Sequence, residues 1–336
     1  MKWLFLLVTY YSYEVINQGF RKETEMELDS KNGTQQIMIG VDVGNGTTSS
    51  SSIELRSGIT AVNDSEVAAH KAVIDGKCYV FGEETWNYKV DRTLDEDCKI
   101  LTLYVVAKEL KARNLPPGDY DIALGVGLPF QHWSSLKGNL KAYYQDGKKH
   151  SVHIDGKRYW ICFTNVAVMP QAYSALVDNL PYLKGRTVML ADIGDGTLDV
   201  ILFEDAVTKE TGSFTEELGV KACFNLAKRN YKSQTQKELT RNMFEQIIRG
   251  KAKVSETLEN CINQAAKEYC KSVYNSLVEG GFDEDAMSLI IMGGGANIVK
   301  TYGGEEFLGA EFLLDTKANA KGYEAFMRKY QEKIGG

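Results

Sequence analysis

The sequence predicts an α/β fold of two lobes, each a mixed sheet flanked by helices, and three observations carry that expectation. The chain has 336 residues, more than one hydrophobic core usually organises. Apolar β-branched runs alternate with stretches of helical periodicity. A strand ending in Asp, a glycine turn and a threonine occurs twice, around Asp42 and again around Asp192, and such an internal echo reads as two related domains.

Taken in order, Ile37 to Val43 is the first strand, closed by Gly44-Asn45-Gly46, and the segment through Ile53 and Leu55 reads as its hairpin partner. Val73 to Phe81 is a strand pair turning at Asp75-Gly76. Asp97 to Arg113 has helical apolar spacing and stops at Pro116-Pro117-Gly118. Tyr120 to Leu128 is a strand. Asp146-Gly147 and Asp155-Gly156 read as two hairpin turns. Val166 to Met169 is a short strand, and Pro170 suits the first turn of a helix running to about Asn179, where its missing N–H needs no partner. Val188 to Ile193 and Asp199 to Glu204 form a hairpin about Gly194-Asp195-Gly196. Gly219 to Glu279 is mostly helical and lacks proline; Ser288 to Met292 is a buried strand before Gly293-Gly294-Gly295; a last helix covers about Ala320 to Lys333.

Trp3 to Val8 is apolar but too short to span a membrane, and no small-residue cleavage site follows. Residues 1–36 read as a leader outside the fold, with Met26 and Met38 as alternative starts. The first lobe is expected over 37–185 plus the helix 320–333, the second over 186–319, with a helical subdomain at about 226–284. A hydrophobic fraction of 43% and a charged fraction of 25% suit a soluble globular chain. A formal charge of −6 argues against direct nucleic-acid binding through phosphates. The six cysteines form no C-x-x-C pair, which fits free thiols in a reducing cytoplasm rather than a zinc cluster.

The repeated turn has a chemistry. Glycines let backbone amides approach a phosphate, and an Asp at the strand end offers oxygen to Mg²⁺ or to its waters. One Asp-x-Gly turn is ordinary turn chemistry; two matched copies and a third glycine cluster after a buried strand are a pattern. The third cluster offers bare backbone on which a flat ring can lie.

In order and spacing, these blocks resemble the two phosphate motifs and the adenosine motif of the actin, Hsp70 and sugar kinase superfamily. Asp192-Ile193-Gly194-Asp195-Gly196 is similar to the second phosphate loop of actin. Val168 to Leu176 resembles the helix connecting the lobes, with Gln171 where actin has the glutamine that positions the attacking water. Asp315 to Tyr323, with its Asn319-Ala320-Lys321-Gly322-Tyr323, resembles the end of bacterial plasmid-segregation actins of the ParM/StbA type.

The resemblance implies an actin/Hsp70/ribonuclease H-like fold with the nucleotide in a central cleft. It implies an ATPase that uses Mg²⁺, with GTP as a competing nucleotide, and a head-to-tail filament of copies of the chain. A DNA-binding adaptor of the ParR type would link the filament to its cargo. Asp42 and Asp192 would serve the metal, and Gln171 with Asp192 the reaction. Gly44, Asn45, Gly46, Thr47, Gly194, Asp195, Gly196 and Thr197 would hold phosphates, and Gly293, Gly294 and Gly295 the nucleoside. Two departures stand out. The first loop lacks the lysine that actin and ParM carry, so the phosphates must be met by amides, Mg²⁺ or a basic group elsewhere, with Lys71 a candidate. Gln171 also stands where many ParM proteins have glutamate; a glutamine orients water without acting as a strong base. A small-molecule kinase of the same superfamily is the alternative, with Asp195 or Asp199 as its base.

Overall fold

The computed structural model of the protein describes residues 36–63, 70–82, 93, 95–177, 180–251 and 253–334. The leader expected at 1–36 therefore lies, up to residue 35, outside the described residues, as does Met26. The chain forms two units, residues 1–182 with 316–336 and residues 183–315.

The first unit opens with an antiparallel meander, β1 (Ile37–Val43), β2 (Thr47–Ser49) and β3 (Glu54–Arg56). The hairpin partner of β1 is thus Thr47–Ser49, and the expected Ile53–Leu55 segment contributes the third strand. Next come β4 (Ile59–Ala61), β5 (Lys71–Ile74), β6 (Lys77–Phe81), α1 (Glu96–Ala112), β7 (Gly118–Leu128), α2 (Phe130–Tyr144), β8 (Lys149–Ile154) and β9 (Lys157–Pro170). The sheet order is β3-β2-β1-β7-β9-β8-β5-β6-β4, with β1, β7 and β9 parallel.

Two expectations here are corrected. Asp146-Gly147 is not a hairpin turn but joins α2 to β8, because the preceding apolar residues Trp133, Leu140 and Tyr144 have helical spacing and are buried. No helix starts at Pro170. The residue ends β9, the Gln171 N–H continues the ladder to the Leu128 carbonyl at 2.8 Å, and Ala172 takes a left-handed φ of 61°. A 3₁₀ turn, Ser174–Leu176, follows. Residues 178 and 179 lie outside the described residues.

The second unit repeats the opening meander with β10 (Thr187–Ile193), β11 (Leu198–Glu204) and β12 (Val207–Glu216). Helices α3 (Val220–Thr235), α4 (Arg241–Ile248) and α5 (Glu256–Glu279) occupy the region expected to be helical. The serine and threonine caps Ser255 and Thr240 start α5 and α4 by accepting first-turn amides. Then come β13 (Ser288–Met292), α6 (Ala296–Tyr302) and β14 (Glu311–Leu313), giving the order β12-β11-β10-β13-β14. The chain ends in α7 (Ala318–Ile334), which belongs to the first unit.

Strand alternation decides what each face carries. On β1, Ile39, Val41 and Val43 enter the main core with α1 and α2, while Met38 packs with Ala123, Met169, Tyr323 and Met327 under α7. Asp42, two pleats along from Met38, shares the α7 face. On β10, Met189, Ala191 and Ile193 enter the second core with α3 and α5. Asp192 therefore falls on the opposite face from these three. No helix among the described residues is long and apolar enough to cross a membrane.

Candidate functional site

The expected site residues gather into two groups, one in each unit. In the first, Asp42 is near the end of β1, and the turn after it closes through a Gly44 N–H to Thr47 carbonyl bond of 2.9 Å. Ser57, fully buried, holds this turn from behind. Its hydroxyl donates to the Gly44 carbonyl at 2.5 Å and lies 2.8 Å from the Thr48 hydroxyl, while its N–H donates to the Gly46 carbonyl at 3.1 Å. In a trans peptide the C=O and the following N–H point in opposite directions. With the Gly44 and Gly46 carbonyls turned toward Ser57, the N–H groups of Asn45 and Thr47 point away from it.

Gln171 joins this group. Its Nε2 donates to Asp42 Oδ1 at 2.8 Å. The same carboxylate accepts from Asn319 Nδ2 and from the Tyr323 hydroxyl, both at 3.4 Å. Behind the serine run lies a buried ionic network. Glu109 accepts from the hydroxyls of Ser50, Ser51 and Ser52 at 2.6, 2.9 and 3.1 Å, from the Ser52 N–H at 3.0 Å, and from Arg113 Nε at 2.7 Å. Burial alone would raise its pKa. The hydrogen bonds from Ser50, Arg113 and Ser51 and the Arg113 charge outweigh burial and bring it down to about 2.

In the second group, a Gly194 N–H to Thr197 carbonyl bond of 2.9 Å closes the turn after Asp192. Here main chain supplies the backing. The carbonyls of Gly196, Gly194 and Asp195 accept from the N–H groups of Gly219, Val220 and Lys221, at 3.2, 3.0 and 2.9 Å. The start of α3 thus fills its orphan donors with the turn's carbonyls. The same peptide geometry aims the N–H groups of Asp195, Gly196 and Thr197 away from α3. The third glycine cluster abuts this turn. Gly295 N–H donates to the Ile193 carbonyl at 2.9 Å, and a Cβ added at Gly293, whose φ is +84°, would lie 2.3 Å from Asp192 Oδ1.

Side chains here are committed as well. The Thr197 hydroxyl donates to Asp199 Oδ2 at 2.9 Å, and Thr215 to Asp199 Oδ1 at 2.6 Å. Arg241, on the first turn of α4, pairs with Asp195 and with Glu245. Lys71 lies on β5, four strand steps from β1 and hence about 19 Å away at the usual strand spacing. That is beyond the reach of a lysine side chain and corrects Lys71 as the basic group for the first turn. Sequence reasoning missed Ser57 and Arg241, which no local pattern marks. It noticed Asn319 and Tyr323 only as part of a tail motif.

Residues 30–173 match the family model described as actin-like proteins, N-terminal domain. Solved structures extend the likeness to 88% of the chain. The pCBH ParM non-polymerisable quadruple mutant superposes with a TM-score of 0.69 at 19% identity, covering 88% of this chain and all of its own. The chain has an actin-like fold. Ta0583, an archaeal actin homolog in complex with ADP, gives 0.71 at 16% identity with the same coverage of both chains. The Alp12 filament structure gives 0.64 at 17%, again over 88% of this chain and all of Alp12. No curated protein sequence matches it.

Proposed function

We propose that this actin-like protein binds and hydrolyses ATP with Mg²⁺ and assembles head-to-tail with copies of itself. The observation that carries the nucleotide reading is the paired turn geometry. Each turn follows a strand-end Asp, has its carbonyls anchored behind it, and presents two or three N–H groups in the opposite direction. Converging amides of this kind form a concave anion site. The ADP held by the archaeal homolog fits the same reading.

The roles divide by chemistry. The N–H groups of Asn45 and Thr47, and those of Asp195, Gly196 and Thr197, bind phosphate oxygens, while Gly44, Gly46 and Gly194 leave the turns open for the phosphates to approach. The Thr197 hydroxyl is already given to Asp199, so Thr197 contributes through its amide. Gly293, Gly294 and Gly295 receive the nucleoside on bare backbone. Mg²⁺ supplies charge neutralisation of the phosphates when bound; Asp42 and Asp192 offer it carboxylate oxygens or hold its waters. Gln171 spends its amide nitrogen on Asp42, which leaves the carbonyl end of the same group to accept a hydrogen bond from the attacking water and so orient it. Little covalent chemistry falls to the protein, so placement of groups dominates.

Assembly is inferred from the fold shared with the Alp12 filament structure. A filament of this chain would move plasmid or other DNA through a DNA-bound adaptor, the net charge of −6 being unsuited to direct contact. The kinase alternative is weakened by the state of its candidate bases: both oxygens of Asp199 are taken by threonines, and Asp195 is paired with Arg241.

Purified protein mixed with ATP and Mg²⁺ should scatter light and pellet only when nucleotide is present. Asp192→Ala should lower phosphate release at least tenfold. Turnover that appears only with an added sugar would replace this reading with the kinase one, and undiminished release by the variant would remove Asp192 from the reaction.

A further inference from the structure

The tail motif Asn319-Ala320-Lys321-Gly322-Tyr323 opens α7 and lies against the two residues given the metal and water roles. Asn319 and Tyr323 are four apart and so share one face of the helix. Asn319 is buried and works with both ends of its amide. Its Oδ1 accepts the N–H of Ala172 at 2.9 Å, and its Nδ2 donates to Asp42 Oδ2 at 3.4 Å. Ala172 is the left-handed residue that follows Gln171 directly, so this bond fixes the backbone from which Gln171 projects. Tyr323, fully buried, donates to Asp42 Oδ1, the oxygen that also takes the Gln171 amide.

The seat of α7 is made for this closeness. A Cβ at Gly127 would fall 1.8 Å from the Tyr323 hydroxyl oxygen, so only glycine admits the ring there. From the next residue of α7, Glu324 pairs with Arg113 at 2.7 Å, and Arg113 also donates to the Met38 carbonyl of β1 at 2.9 Å. The helix is thereby tied to the strand that carries Asp42.

We propose that Asn319 and Tyr323 are positioning residues for ATP hydrolysis, with Asn319 setting the Gln171 backbone and the Asp42 carboxylate in register and Tyr323 steadying the carboxylate. The proposal rests on the roles given above to Asp42 and Gln171. A merely structural Asn319 would need only its acceptor for the Ala172 N–H. Asn319→Asp keeps that acceptor and replaces the donor facing Asp42 with a second carboxylate oxygen, which separates the two roles.

The test uses the full-length protein, with phosphate release as the rate and hydrogen exchange of the 171–176 turn as the reading on the nucleotide-free protein. N319D should keep the Ala172 amide slow to exchange, yet lose about tenfold in kcat with KM for MgATP within about threefold, as expected when a group placed for the transition state is disturbed. Tyr323→Phe removes one hydroxyl and should lose about threefold in kcat. Wild-type kcat in N319D with the turn still protected overturns the role of Asn319, and wild-type kcat in Y323F removes Tyr323. If N319D does not fold, Y323F alone decides whether α7 positions the carboxylate. Asp42→Ala and Gln171→Ala run alongside. Should both hydrolyse ATP normally, the reading beneath the proposal falls with it; should both fail while N319D and Y323F run normally, the proposal alone falls.

Discussion

The two glycine turns present the same chemistry but are held in different ways. The second is backed by main chain: three carbonyls are received by the first amides of α3, with no side chain involved in those bonds. The first is backed by one side chain and its own amide, those of Ser57, and behind the following serine run sits the Glu109–Arg113 pair. A backbone-backed turn tolerates side-chain change as long as the helix start can approach. A side-chain-backed turn depends on a few buried polar atoms, each costly to orphan. The first unit should therefore be the more easily broken of the two by single polar substitutions.

The largest effect is expected at Glu109. Glu109→Ala takes one of the two carboxylate partners of Arg113, leaving Glu324, and leaves three serine hydroxyls without their acceptor, and should destabilise the first unit by about 3 kcal/mol in denaturant unfolding. Its pH dependence follows from the lowered pKa. The folded carboxyl titrates at about 2 against 4.5 when free, so its stabilisation is complete above about pH 4.5 and fades as the pH falls toward 2. The full difference is worth about 3 kcal/mol. Glu109→Gln should flatten the stability profile of this unit in that window; an unchanged acid limb would show that the network contributes little.

The matching break in the second unit is Gly219→Ala. A Cβ there would lie 2.5 Å from the Asp195 carbonyl oxygen, pushing the start of α3 off the turn. Overpacking of this kind costs about 1–3 kcal/mol, and ADP binding measured by fluorescence titration should weaken in step. Full affinity in that variant would mean that the turn does not need its backing. The smallest effect is expected for Ser57→Ala, which keeps the amide bond to Gly46 and loses only the hydroxyl. Two hydrogen bonds go with it, the one to the Gly44 carbonyl and the one shared with the Thr48 hydroxyl, but the amide bond still holds the turn, so ADP binding should weaken only a few-fold. A Ser57→Ala loss larger than that of Gly219→Ala would sharpen the comparison, making the side-chain backing of the first turn the weaker of the two.

Much of the architecture was legible locally. The strand Ser288–Met292, the helix from about Asp97 and the two strand–Asp–glycine blocks are short-range patterns of burial and turn chemistry, and they stand where periodicity put them. Pro170 misled because proline at a helix start and proline at the end of a strand look alike in sequence. The Leu128 carbonyl, 42 residues earlier, made the choice by accepting the next amide. The long central helix α1 showed its apolar spacing plainly, whereas the helix before β8 was hidden by an Asp-Gly pair that suits several turns equally well.

The sequence by itself determined two related α/β units, the strand ends on which Asp42 and Asp192 stand, and the glycine turns that follow them, because pleat, period and turn preference act over a few residues. Only the tertiary structure decided what backs each turn, that Lys71 is four strands from the first one, and that Asn319 and Tyr323 reach Asp42 from 277 and 281 positions away. Such contacts are set by which helix covers which face of a sheet, and that choice is made by the packing of whole surfaces rather than by any neighbouring residue.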